Sequence, residues 1–211
     1  MAGRFVSFEG GEACGKSTQV ARLIRKLESL GHQVLSIREP GSTQAGETIR
    51  NLLLHSDQGI SLTPTAELLL FGASRAQLVE ELIRPGLNAG EIVVADRFTD
   101  STTVYQGIAR GLDLKFIREL EEFVCAGLRP AITFLLDLDL ETIRNRRLRR
   151  VRPVNADRIE ELPLEFHRKV REGYLQLARE FPERIKVIDA ARSVDEVEAA
   201  IWKEINAILG R

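Results

Sequence analysis

The run Gly10-Gly11-Glu12-Ala13-Cys14-Gly15-Lys16-Ser17 fits G-x-x-x-x-G-K-[ST], and it stands where a short apolar segment, Phe5 to Phe8, gives way to residues with helical spacing. No other feature constrains the fold as tightly. Such a loop needs a strand to bring it in and a helix to carry it out. Gly10 and Gly15 let backbone amides turn inward around an anion, and the helix opening near Lys16 adds its positive dipole end. Lys16 supplies a point charge for the β- and γ-phosphates of a nucleotide. Ser17 offers a hydroxyl oxygen to the Mg²⁺ that such phosphates carry. Gly10, Gly11, Glu12, Ala13, Cys14, Gly15, Lys16, Ser17 and Thr18 are therefore expected to form an ATP-binding cradle. The plain alternative, a glycine-rich turn with a chance lysine, does not account for the strand-loop-helix setting. A phosphate cradle names a ligand and not a reaction.

Period analysis extends the plan along the chain. Phe5 to Phe8, Val34 to Ile37, Ile92 to Ala95, Ile132 to Leu136 and Ile185 to Ile188 are short, β-branched or aromatic runs and read as five strands. Between them lie helical spacings, such as Val20, Leu23, Ile24, Leu27 and Leu30, which stop at Gly31 where a left-handed cap is expected. Thr63-Pro64-Thr65 predicts a helix start with Pro at its first position, continuing to about Ile83. Val194, Val197, Ile201, Ile205 and Ile208 share one face of a last helix. Strands that read as apolar runs instead of in/out alternation, and that alternate with helices, predict an α/β, three-layer P-loop NTPase fold, with a five-stranded parallel sheet flanked by helices. At about 150 residues per domain, residues 1–211 make one domain.

Composition narrows the partners. With 30 Lys plus Arg against 31 Asp plus Glu, bulk electrostatics gives no reason to coat a nucleic acid polymer or an anionic membrane. Cys14 and Cys125 are too few and too far apart for a disulfide framework or zinc site, which suits a reducing cytoplasm. Met1 to Phe8 has no basic region followed by an apolar one, and no apolar run approaches the ~18 residues of a membrane span. The expectation is a cytoplasmic protein with no membrane partner.

Two strand ends add chemistry to the cradle. The third strand ends at Asp96-Arg97, at the edge where open α/β sheets bind ligands. Asp96 is placed to hold Mg²⁺ or its waters, so Ser17 and Asp96 are the candidate metal residues. Arg97 is placed to hold an acceptor phosphate against the transferring group. Arg38-Glu39-Pro40-Gly41-Ser42-Thr43, after strand two, brings another arginine to the same edge. Farther on, Arg144, Arg146, Arg147, Arg149, Arg150 and Arg152 put six guanidinium groups into nine residues. That density is either a solvated helix end or a device for binding anions.

Taken together, these residues resemble the thymidylate kinase family, bacterial type. The resemblance is collinear over nearly the whole chain. It is carried by Phe8-Glu9-Gly10, Arg38-Glu39-Pro40-Gly41, Leu69-Leu70-Phe71 with Ser74-Arg75-Ala76-Gln77, and Ile83-Arg84-Pro85. Asp96-Arg97-Phe98 with Ser101, Tyr105-Gln106-Gly107 and Asp157-Arg158-Ile159-Glu160 complete it. It implies ATP- and Mg²⁺-dependent phosphorylation of dTMP to dTDP by a homodimer. Position by position, it implies that Phe71 stacks on thymine and Arg75 donates to O4. Four residues apart on one helix, the two face the same side. An aromatic face stacks without base preference, whereas a guanidinium reads a keto oxygen and rejects an amino group. Core packing for Phe71 and a solvated charge for Arg75 are the alternatives.

The resemblance further places Thr102 near N3, Tyr105 beneath the sugar and Glu12 near its hydroxyl, with Arg38 and Arg97 on the dTMP phosphate. Pro40, Ser101 and Gln106 complete the expected dTMP pocket. In the family it resembles, the positive charge on the transferring phosphoryl comes from the P-loop or from the lid; Ala13 and Cys14 carry none, so the resemblance implies that a mobile arginine-rich lid at about 144–158 supplies it. Arg149, Arg150 and Arg152 are the candidates, and spacing does not choose among them. Lys16, Asp96, Arg97 and these lid arginines form the expected catalytic set. No nucleophilic side chain is required, so His32, His55 and His167 need no catalytic role.

Some positions depart from the family pattern. Ala13 stands where Gly is common, and Ser42, Ser74 and Phe98 replace a usual Gly, Asp and Tyr. None of these removes a phosphate-binding group. Asp137 and Asp139 end the fourth strand, either as outer-shell groups for a metal or as strand-end caps. Leu52-Leu53-Leu54 and Leu68-Leu69-Leu70 put apolar groups around more than one helical face, which a partner subunit or the monomer's own core could cover. Two other functions share the cradle. A nucleoside or other nucleotide kinase is separated by acceptor. A nucleotide-driven switch would hydrolyse ATP without any acceptor.

Overall fold

The structure, a computed structural model, describes residues 3–54, 61–149, 158–159 and 162–210, with backbone only at 147–149. Five strands form one sheet: β1 (Arg4–Glu9), β2 (Val34–Arg38), β3 (Ile92–Asp96), β4 (Ile132–Asp137) and β5 (Ile185–Asp189). They pair in the order β2-β3-β1-β4-β5, parallel throughout. All five expected strands are present, each within two residues of its expected ends.

The sheet is buried because each strand feeds two cores. Val6, Phe8, Ile92 and Val94 point to the side covered by α1 (Lys16–Ser29) and α9 (Val194–Leu209), where Leu23, Leu27, Val197 and Ile201 meet them. Phe5, Val93 and Ala95 point to the other side, against Leu78, Val79, Ile83 and Phe98. Each fully buried side chain of this kind contributes roughly 1.5–3 kcal/mol of transfer free energy.

Helix ends follow the local chemistry. At the close of α1, Gly31 takes φ +85° and its N–H reaches Glu28 O at 2.9 Å. The start of α3 (Pro64–Leu78) is capped by the Thr63 hydroxyl, which accepts from Ala66 N, with Pro64 in the first turn. The expected run to about Ile83 persists, but not as a uniform α-helix. It widens into a π turn over Val79–Ile83 before α4 (Arg84–Asn88). Pro85 has no N–H to return to the preceding turn, and the wider turn accommodates it. After β3 come the short α5 (Thr99–Thr102), a second π segment (Thr103–Ala109) and α6 (Leu114–Cys125). Between β2 and α3 lies α2 (Gln44–Leu54); α7 (Leu140–Arg149) follows β4, and α8 (Leu164–Glu180) precedes β5.

Register brings the functional loops together. Phe8 and Arg38 both pair with Asp96, so the C-terminal ends of β1, β2 and β3 lie level. The chain departs from β1 to one side for β2 and β3 and returns to the other for β4. Ligand crevices of open α/β sheets form at such a reversal.

Candidate active site

At that edge a cavity of about 320 Å³ opens between the loop after β1, the ends of β2 and β3, and α3. Its lower wall is the loop expected to cradle phosphates. Gly10 adopts φ +137°, and a Cβ there would meet Leu136 O at 2.5 Å, so the position is closed to any side chain. Gly15 takes φ +94°. Ala13 takes φ +56°, the left-handed conformation expected to cost energy for a residue with a Cβ. Lys16 folds across the loop, its Nζ donating to Gly11 O at 2.8 Å and Gly10 O at 3.2 Å. Cys14 is buried, and its thiol donates to Gly11 O at 3.0 Å, as a small filler would. Residues 12–18 line the cavity, and Gly10 and Gly11 do not.

Beside the cradle, Ser17 Oγ donates to Asp96 Oδ2 at 3.1 Å. A hydroxyl and a carboxylate side by side are the hard oxygen donors that Mg²⁺ takes alongside substrate phosphates. Arg97 follows at φ +75° with its guanidinium turned back over the loop. Its Nη2 donates to Glu12 Oε1 at 2.6 Å, and its Nη1 donates to Gly10 O, Ser101 Oγ and Tyr174 OH. Arg38 reaches the same cavity from β2, exposed and held by Glu47 at 2.9 Å.

The opposite wall is the expected base pocket. Phe71 is half-buried and Arg75 is 1 % exposed, both on α3 and both lining the cavity. The solvated-charge alternative for Arg75 is thereby excluded. Its Nε donates to Glu39 Oε2 at 2.8 Å, Nη1 bonds Glu121, and Nη2 donates to Thr102 Oγ1 at 3.0 Å. Burial pushes the Glu39 carboxyl up to about 7 against the pull of Arg75. One Glu39 oxygen, Oε1, is buried without a partner.

Pro40, Ser101, Thr102, Tyr105 and Gln106 also line the cavity. Tyr105 lies under the Arg97 guanidinium at 5.2 Å, and burial holds its phenol neutral. Gln106 donates to Glu67 Oε1 at 2.8 Å, in a cluster where Glu67 also takes Arg110 and Arg158. Of the lid arginines, Arg149 ends α7 with its side chain outside the description, and Arg150 and Arg152 lie outside the described residues. Arg146, from the same run, donates to Ala13 O and Ala190 O, which ties α7 to the cradle.

At the end of β4, Asp137 forms two bonds to Arg171 and Asp139 caps Thr142, which favours the strand-end alternative. Sequence analysis missed four groups around the arginines: Glu9, Glu39, Glu121 and Tyr174. A carboxylate closing an otherwise apolar central strand was the available signal for Glu9. Burial and the Asp100 carboxylate push its carboxyl up, while Arg97 pulls it down. Tyr174 offered no signal, being one more ring on the inner face of α8.

Residues 8–201 match the family model described as thymidylate kinase. A thymidylate kinase of Syntrophotalea carbinolica is 50% identical over 205 residues, covering 94% of this chain and 93% of that protein. One from Deinococcus radiodurans is 46% identical, covering 97% of each. Among solved structures, a thymidylate kinase from Ehrlichia chaffeensis superposes with a TM-score of 0.79 at 31% identity, covering 98% of this chain and 99% of that one.

Proposed function

The chain belongs to the thymidylate kinase family, and from that premise we propose how each wall of its cleft serves the transfer of a phosphoryl group from ATP to dTMP. The protein is a nucleoside monophosphate kinase and phosphorylates dTMP to dTDP. One observation carries the assignment: the cradle with Lys16 and the pocket with Arg38, Phe71, Arg75 and Arg97 line the same cavity. Residues 10–18 receive the ATP phosphates, with Lys16 leaving its own loop carbonyls for the β- and γ-oxygens. Ser17 and Asp96 hold Mg²⁺, which when bound neutralises charge on the phosphates.

On the acceptor side, Phe71 stacks on thymine and Arg75 faces its O4, with Thr102 near N3 and Tyr105 beneath the sugar. Arg38 and Arg97 hold the monophosphate, Glu12 takes the sugar hydroxyl, and Pro40, Ser101 and Gln106 close the pocket. Alignment and charge are the whole catalytic demand, so these donors supply the reaction without a nucleophile. Ala13 and Cys14 bring no cation to the γ-phosphoryl, and the lid at about 144–158, with Arg149, Arg150 and Arg152, is the source we assign.

The working unit is a homodimer within the cytoplasm. Leu69 on α3 and Phe116 and Phe123 on α6 are exposed large apolar groups, and Phe116 and Phe123 share one face of their helix. Among the described residues no helix is long and apolar enough to cross a membrane. A coupled ADP-release assay tests the function. Turnover should require dTMP, weaken with dUMP and fall to background with dCMP or dGMP; equal turnover without any acceptor refutes it.

A further inference from the structure

Glu9 closes the central strand and is fully buried, a position where a carboxylate without donors costs several kcal/mol. It has three donors. Oε1 accepts from Phe98 N at 2.8 Å, and Oε2 accepts from Ser101 Oγ at 2.7 Å and Tyr174 OH at 2.8 Å. Both hydroxyl oxygens in turn accept from Arg97 Nη1, each at 3.2 Å, and they stand 2.9 Å apart. A guanidinium only donates and a carboxylate only accepts, while each hydroxyl has one hydrogen and spare lone pairs. The order Arg97, hydroxyls, Glu9 is therefore fixed in direction. Glu9 Oε2 lies 4.0 Å from Arg97 Nη1, with the two hydroxyls joining them.

Donor accounting gives this chain of bonds its meaning. Arg97 has five N–H groups. The two on Nη1 serve Gly10 O, Ser101 and Tyr174, and one on Nη2 serves Glu12. Among the described residues the Nε–H and one Nη2–H have no partner, and these are the donors left to grip a phosphate. The residue also holds φ +75°, a conformation that for a residue with a Cβ costs on the order of 1–3 kcal/mol and persists only where surrounding bonds enforce it.

We propose that Tyr174 and Glu9 are positioning residues for Arg97, fixing its guanidinium so that the two remaining donors face the phosphate of the acceptor nucleotide. The inference rests on the assignment of the dTMP phosphate to Arg97. It makes α8, which touches neither nucleotide in that assignment, part of acceptor recognition. It also predicts a signature that general loosening of the fold would not give: affinity for dTMP falls while affinity for thymidine, which lacks the phosphate, does not.

Tyr174→Phe keeps the ring against Tyr105, 6.2 Å away, and deletes only the hydroxyl. Titration calorimetry on the whole protein should show dTMP binding weakened about tenfold, the size of one hydrogen bond to a charged group. Thymidine binding and the KM for ATP should stay unchanged. Glu9→Gln should lower the dTMP-to-thymidine affinity ratio in the same direction, and where that variant does not fold, Tyr174→Phe decides alone. Equal losses for dTMP and thymidine, or no loss for either, overturn the inference. Arg97→Gln separates it from its premise. An unchanged ratio there overturns both, whereas a fall in Arg97→Gln with none in Tyr174→Phe overturns the positioning role only.

Discussion

Glu39 Oε2 stands 2.6 Å from Arg75 Nη2, on a guanidinium that a second carboxylate, Glu121, grips from Nη1. Most of the donor capacity of Arg75 is thus spent inside the protein, and the side chain is a fixed fitting in the wall rather than a mobile arm. Removing it leaves two buried carboxylates without their cation. Arg75→Ala is expected to lower unfolding free energy by about 3–5 kcal/mol, measured by urea titration, and to relax the preference for dTMP over dCMP in turnover. A folded Arg75→Ala variant with unchanged base preference removes Arg75 from base recognition.

Glu39 also sets a pH dependence of stability. Its carboxyl is raised from 4.5 to about 7 in the folded protein by burial, which outweighs the attraction of Arg75. Between those values the native state keeps a proton that the unfolded chain has released, so this group's contribution falls as pH rises and is level above about 7. Glu39→Gln cannot titrate. The stability of Glu39→Gln relative to the parent protein should rise from pH 5 to pH 7.5, by on the order of 2 kcal/mol. Urea unfolding of both proteins at the two pH values checks this, and a constant difference contradicts it.

What could be read from the chain, and what could not, divides along a physical line. Ile92 to Ala95 announced a strand because a sheet covered on both faces selects continuous apolar runs, and all four of its residues are buried. The π turn at Val79–Ile83 left no such mark, since one widened turn scarcely disturbs a helical apolar period. In the site, Lys16, Ser17, Asp96 and Arg97 were legible because each sits in a short motif at a strand end. Phe71 and Arg75 were legible by the resemblance and by their spacing on one helix. The groups that hold the arginines were not. Tyr174 meets Glu9 across 165 positions, and Glu121 meets Arg75 across 46. Only the packing of α6 on α3, and of α8 over the sheet and the second π segment, creates those pairs.

Lys16 rests on the carbonyls of Gly10 and Gly11 in this structure, two neutral acceptors that, on the proposed function, a nucleotide's phosphates replace. Lys16→Ala should therefore cost little stability and much rate. A loss of at least about 3–4 kcal/mol of transition-state stabilisation, as for a principal charge-stabilising donor, corresponds to roughly 10²–10³ in kcat. Near-normal turnover in a steady-state ADP assay would remove Lys16 from the transfer step.

The Ser17–Asp96 contact predicts a distinct defect on the metal side. Asp96→Asn preserves the shape and one acceptor oxygen but removes the negative charge that draws a divalent cation. The Mg²⁺ concentration needed for half-maximal turnover should rise about tenfold or more, while dTMP binding measured without Mg²⁺ stays near the parent value. An unaltered Mg²⁺ requirement places the cation elsewhere.

Phe123 is 83% exposed, and with Phe116 and Leu69 it presents apolar surface from α6 and α3 to solvent in the single chain. Full burial of a side chain of this size is favourable by roughly 1.5–3 kcal/mol, and a twofold-related copy would bury it twice, because a symmetric interface repeats each contact. The expectation is that sedimentation equilibrium finds dimers for the parent protein. Phe123→Glu, placing a charge on that face, should shift them to monomers with the unfolding midpoint of the isolated chain little changed. The substitution is outside the cavity, so a loss of activity that tracks dissociation would mean that the cleft depends on the partner. Dimers that persist in Phe123→Glu at micromolar concentration would move the interface to another face.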